Sequence, residues 1–280
     1  MTELTGAWTR EVLRELVGAW PGGTGKVVMQ VREHELIGLA VYGMTAHTYA
    51  LARAVLALDD GDHEAGVTPL VRQAVECATT AIWLEQAGLP AVLTMIREQT
   101  RQQRNVITEF VKSGQTPNDE VTQRLTADLE AGLRSTAKAG EKFEERCTEI
   151  SGGANIYAIY RALSGTSHAS TSIVDLYLES TQVEENTTTR ALELRRTPKP
   201  GQRDAELGII LSMLIAASSA WSRLDRDRYM RTRLKELCRD LKIPFKHSLT
   251  TYGLAKVRVR EQEHRVTTRP SHPRRERATT

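Results

Sequence analysis

Aromatic residues are scarce in this 280-residue chain, with Phe, Trp and Tyr making up only 5% of it. That scarcity argues against an aromatic-rich β-sandwich. The core must be built from Ala, Leu, Val and Ile, which suits close helix–helix packing. Cysteine is also rare. Cys77, Cys147 and Cys238 are far apart, odd in number and form no CxxC pair, so a disulfide framework is not expected and a reducing cytoplasm fits. HExxH, paired ExxH and GxSxG signatures are absent, so no metal site, cofactor or serine-hydrolase elbow is expected. The first residues have no basic segment leading into an apolar stretch, so no signal peptide is read. Long hydrophobic runs are missing too. The charge-free stretches Leu36–Ala52 and Leu207–Ser222 fall short of the roughly 20 residues a bilayer core demands. They read as central core helices, and no membrane partner is expected.

Two suggestive fragments fail on inspection. Gly23-Thr24-Gly25-Lys26 resembles the end of a phosphate loop, but Trp20 stands where its first glycine belongs and Val27 follows the lysine. Glu33-His34-Glu35 spreads its side chains around a helix and forms no metal face.

Hydrophobic residues at 40% and charged residues at 26% are ordinary for a globular protein. The net charge of +3 is uneven. Residues 256–280 hold eight Lys and Arg against three Glu, leaving 30 basic and 32 acidic side chains before them. The sequence therefore divides into a nearly neutral helical domain, 1–244, and a basic, poorly ordered tail, 245–280. That tail is either an electrostatic surface for a polyanion or a solubilising extension.

Apolar spacing predicts helices over 3–20, 32–58, 67–88 and 91–112. Thr68 is the expected N-cap of the third, with Pro69 at its first helical position. A long charged helix is expected over 117–149, shorter helical runs from Asn155 to Ser180, and one helix from Asp204 to Leu241. Residues 181–203, rich in Thr and Pro, read as either a loop or a small β-hairpin. The fold class is all-α, a multi-helix bundle with long central helices.

The most informative stretch is Tyr157-Ala-Ile-Tyr160-Arg161-Ala-Leu-Ser164-Gly-Thr-Ser-His168. If the helix stays regular, positions 157, 161, 164 and 168 share a face, with Arg161 and His168 roughly 10 Å apart along the axis. A guanidinium clamps phosphate oxygens in pairs, and an imidazole relays protons near neutral pH. The same residues also fit plain packing roles, with a salt-bridged arginine and a capping or core histidine.

An Arg followed by His at this spacing in a helical bundle resembles the HEPN (higher eukaryotes and prokaryotes nucleotide-binding) superfamily. More narrowly, Leu-Val-Arg72-Gln-Ala-Val-Glu76 followed by Tyr160-Arg161-Ala-Leu-Ser164-Gly-Thr-Ser-His168 is similar to bacterial and phage helical proteins with an R-x-x-x-E helix and a YR-x-LS-x-x-x-H helix. The likeness covers a core of about 67–180. It implies metal-independent RNA cleavage, or RNA or nucleotide binding, at a homodimer interface in a toxin or defence effector. His168 would be the acid/base and Arg161 the phosphate clamp. Active members carry a polar residue after the Arg, where this chain has Ala162. The alternative is a non-catalytic helical interaction protein.

The companion helix places Arg72 and Glu76 four residues apart in an otherwise apolar context. A charged pair there must be neutralised internally or face a cleft. Glu76 and Arg72, with Tyr160 and Ser164, are the expected supporting residues. His47, mid-helix, reads as a satisfied core histidine, and Cys77 as a packing residue.

Overall fold

Ala, Val, Leu and small hydroxyl residues recur on almost every side of Val67–Ala87, and this helix is the most buried of the fold. The structure is a computed structural model that describes residues 6–20, 35–61, 66–114, 142–183, 190–199 and 203–268. Among the described residues the helices are α1 (Gly6–Ala19), α2 (Glu35–Asp60), α3 (Val67–Ala87), α4 (Leu89–Lys112), α5 (Phe143–Glu149), α6 (Gly153–Ser167), α7 (Thr171–Tyr177), α8 (Arg203–Leu224), α9 (Arg231–Asp240) and α10 (Thr251–Thr268). Strands β1 (Leu178–Val183) and β2 (Arg190–Leu194) pair antiparallel. The stretch that reads as loop or hairpin is thus a hairpin on an all-α bundle.

Helices α2, α3 and α8 form the centre. Ala74, Ala78 and Ala81 on α3 and Ala217 and Ala220 on α8 are fully buried. Small side chains let the helix axes approach closely, so dense packing is reached with few aromatics. Several hydroxyls buried in this centre find partners, whereas those of Thr79 and Ser222 find none among the described residues. Thr45 Oγ1 donates to the Ala217 carbonyl at 3.3 Å, and Ser218 Oγ shares a 2.9 Å hydrogen bond with the Tyr49 hydroxyl. Left unpaired, each would cost about 1–3 kcal/mol. Five of the scarce aromatics gather at one end. Trp20 stacks on Tyr49 at 4.1 Å and meets Tyr229 edge-on at 5.7 Å, while Tyr42 packs edge-on to Trp221 at 5.1 Å. Arg10 ties α1 to α2 and α8 through Asp59 at 2.7 Å and Asp204 at 3.0 Å.

Both charge-free stretches lie in core helices, as their composition predicts. Arg203–Leu224 is long and apolar enough to cross a membrane, and 67% of its most apolar window is buried inside the fold.

Several sequence expectations need correction. Helix α3 starts at Val67 after Gly66, and Thr68 is not its cap, because the Thr68 hydroxyl donates to Glu206 on α8. The helix expected from Asp204 to Leu241 is two helices. Buried Asp225 accepts the Tyr229 amide at 2.8 Å, and Arg228 and Met230 adopt left-handed φ of 54° and 48°, which ends one helix and restarts the next. Most of the helix expected over 117–149 lies outside the described residues, with α5 its described end.

The division at residue 244 also changes. Thr251–Thr268 is helical and packs on α5, α4 and α3, while residues 269–280 lie outside the described residues. The physical reason is local. Thr250 Oγ1 caps α10 by accepting the Gly253 amide at 3.0 Å. Ile150 and Leu249 form an isolated antiparallel bridge. Gly253 lies so close to the end of α5 that a Cβ there would sit 2.4 Å from the Glu149 carbonyl oxygen.

Candidate functional site

Helix α6 is fastened to α3 by one side of its surface. Arg72 Nε donates to Ser164 Oγ at 3.1 Å, a second Arg72 nitrogen donates to the Tyr160 hydroxyl, and the guanidinium lies 4.4 Å from the centre of the Tyr160 ring. Tyr160 in turn packs on Phe143 of α5 at 4.3 Å. Three of the expected supporting residues, Arg72, Tyr160 and Ser164, are therefore brought together, and they occupy one another. Burial and the charge of Glu76 push the Tyr160 hydroxyl up.

Arg161 and His168 are elsewhere. Both are exposed, and neither makes a hydrogen bond or ion pair with another described residue. The shared face expected for positions 157, 161, 164 and 168 does not form. Helix α6 ends at Ser167, and His168 has extended backbone with φ −120° and ψ 155°. The inward row is instead Gly153, Ile156, Tyr160, Leu163 and Ser164, which leaves Arg161 on the outer side. The pair is presented to solvent at the end of a pinned helix and is not enclosed in a cleft of the single chain.

Glu76 faces a different place. Met44 and His47 on α2, Gln73, Glu76, Cys77 and Thr80 on α3, and Arg146 on α5 line a cleft of about 240 Å³, with Gly43 at its edge. Arg72 turns onto the hydroxyls of Tyr160 and Ser164, while Glu76 faces the cleft. His47 is exposed at this cleft and is not a core histidine. Arg146 donates to Thr80 Oγ1 at 3.1 Å and lies 5.5 Å from the Trp83 ring centre. Burial lowers its pKa, against the carboxylates of Glu76 and Glu98. Burial also pushes the Cys77 thiol up to about 11 and the Cys147 thiol up to about 12. Neither is a thiolate nucleophile at neutral pH. No group of three or more His, Cys, Asp or Glu among the described residues is placed to hold a metal.

Compared with protein-family models, curated proteins and solved structures, the chain matches none.

The residues that sequence reasoning missed lie around Trp83. Glu149, at the end of α5, accepts from Trp83 Nε1 at 2.7 Å and from two nitrogens of Arg260 on α10, one of them at 2.8 Å. Both charged side chains are 1% exposed. The Arg260 guanidinium lies 5.2 Å from the Trp83 ring centre, so Trp83 has a cation near its ring from each of Arg146 and Arg260. Such contacts are worth about 0.5–2 kcal/mol when desolvated. The only sequence signal was Trp83 itself, a residue whose N–H needs a partner wherever it is buried.

Proposed function

We propose that this chain is a HEPN-like helical protein that binds RNA and cleaves it without metal, using Arg161 and His168 across a pair of identical chains. The observation that carries this reading is that both side chains are exposed and unpaired, Arg161 on a helix that Arg72 fixes to the core and His168 immediately past its end. Groups on a rigid element keep their geometry, and groups free of protein partners are free for a ligand. Arg161 would hold a phosphate through paired N–H donors. His168 would take the proton of a ribose 2′-hydroxyl. The resulting oxygen attacks the adjacent phosphorus, the 5′-oxygen leaves and is protonated, and a 2′,3′-cyclic phosphate remains. Because Arg161 and His168 do not converge within one chain, a second copy supplies the complementary half.

The test is cleavage of RNA by the purified protein in EDTA, beside His168→Ala and Arg161→Ala. Wild-type cleavage with cyclic-phosphate ends, reduced about 10²–10⁴-fold in the His168 variant, is the expected result.

A second reading, a non-catalytic helical interaction protein, draws on α4, where Val106, Phe110 and Val111 are exposed. It prevails if no RNA is cut while both variants unfold at the wild-type denaturant midpoint.

A further inference from the structure

The cleft between α2, α3 and α5 sets an anion and a cation around one small volume. We infer that it binds a small zwitterion, an α-amino acid with a short apolar side chain, held between Glu76 and Arg146. This inference does not depend on the RNA reading, and the two can fail separately.

Helix α3 is apolar on almost every side, and a carboxylate on such a helix is costly unless something meets its charge. The Glu76 carboxylate makes no hydrogen bond with another described residue, and the Arg146 cation lining the same cleft is what answers its charge. Arg146 keeps its bond to Thr80 and other contacts, and it still brings a positive charge to the cleft that it lines.

Charge complementarity narrows the ligand class. A simple anion would meet Glu76, and a simple cation would meet Arg146; like charges brought together in a partly desolvated site are unfavourable. A molecule with an ammonium and a carboxylate a few ångströms apart satisfies both signs. Its ammonium turns to Glu76 and its carboxylate to Arg146, with the Gln73 amide alongside. Met44 and Cys77 supply an apolar wall for the side chain. A volume of about 240 Å³ corresponds to about eight water-sized volumes of ~30 Å³. That is room for a ligand the size of valine or leucine.

Gly43 provides a control that acts on space rather than charge. A Cβ built there meets nothing within 4 Å, so a larger side chain fits the helix while reaching over the cleft.

The experiment is isothermal titration of the full-length protein with L-alanine, L-valine and L-leucine. Isoamylamine and 4-methylvalerate serve as the two half-ligands of leucine. At least one amino acid is expected to bind with a Kd of about 1 mM or tighter, and each half-ligand at least about tenfold more weakly than L-leucine. Glu76→Gln is expected to weaken amino-acid binding at least about tenfold and to narrow the gap between L-leucine and 4-methylvalerate. Gly43→Leu is expected to abolish binding with an unfolding midpoint no lower than wild type, since Leu is the better helix former. The inference is overturned if none of the three amino acids binds, if isoamylamine or 4-methylvalerate binds as well as L-leucine, or if Glu76→Gln binds undiminished.

Discussion

Replacing Arg260 with Met tests the centre of this fold most directly. The Glu149 and Arg260 side chains are each 1% exposed. In the variant, Glu149 keeps one donor, Trp83 Nε1 at 2.7 Å, and loses both from Arg260. Removing one partner of a buried ion pair costs about 3–5 kcal/mol, because the remaining charge has nothing to answer it. Against a total stability of about 5–15 kcal/mol, that is a large fraction of what holds a domain folded. Adding Glu149→Gln tests the cause. Its amide oxygen still accepts from Trp83, and no charge is left behind. The double variant should recover most of the loss, with a coupling of at least about 2 kcal/mol. Urea unfolding followed by circular dichroism and by tryptophan fluorescence reads all four proteins, and coincident transitions support the two-state treatment. An Arg260→Met protein within about 0.5 kcal/mol of wild type, or a double variant no better than the single, would refute this account of the core.

Three further outcomes are expected. Burial, with Arg223 close by and only partly offset by Glu85, pushes the His247 imidazole down to about 4, against about 6.5 for a free side chain. Between those values the unfolded chain binds a proton that the native state does not. Stability present above about pH 6.5 should therefore fall, by about 3 kcal/mol in full, as pH drops toward 4. Urea titrations of wild type and His247→Leu at the two ends of that window check it, and equal slopes would show that His247 is not responsible. Gly253→Ala places a Cβ 2.4 Å from the Glu149 carbonyl oxygen and should lose about 1–3 kcal/mol, as overpacked sites do. Gly43→Ala, in open space on α2, should instead gain about 0.5–1 kcal/mol. Thermal unfolding of the pair side by side would expose an error in either sign.

The helices were largely legible in the sequence because their signals are local. Ser113 and Gly114 close α4 where turn residues predict, and Pro244 follows the end of α9. Leu207–Ser222 reads as a core helix because its apolar and small residues cover every side. What escaped depends on distant partners. Arg260 sits in a mixed-charge segment that looks solvated, and nothing near it announces a carboxylate 111 positions away. The interruption after Leu224 hinges on Asp225 turning inward to the Tyr229 amide, a choice that helical periodicity does not encode. The candidate site was legible in the same uneven way. Arg72, Tyr160 and Ser164 are brought together, whereas the face assumed for Arg161 and His168 required α6 to continue past Ser167. Glu76 stood out as a charge on an apolar helix. Its cleft partners, His47 on α2 and Arg146 on α5, come from elements whose placement only the tertiary fold sets.

The tie between Glu149 and Arg260 also orders events during synthesis. Domains emerge from the ribosome N-terminal part first, at about 5–20 residues per second. Helices α2, α3 and α8 can gather before α10 has been made, but Trp83 and Glu149 then sit in the forming core with a charge no neighbour answers. Completion waits for residue 260 to leave the exit tunnel. Until then the nascent bundle has its final helices but not its final cohesion, and this is the interval in which a chaperone would find it open.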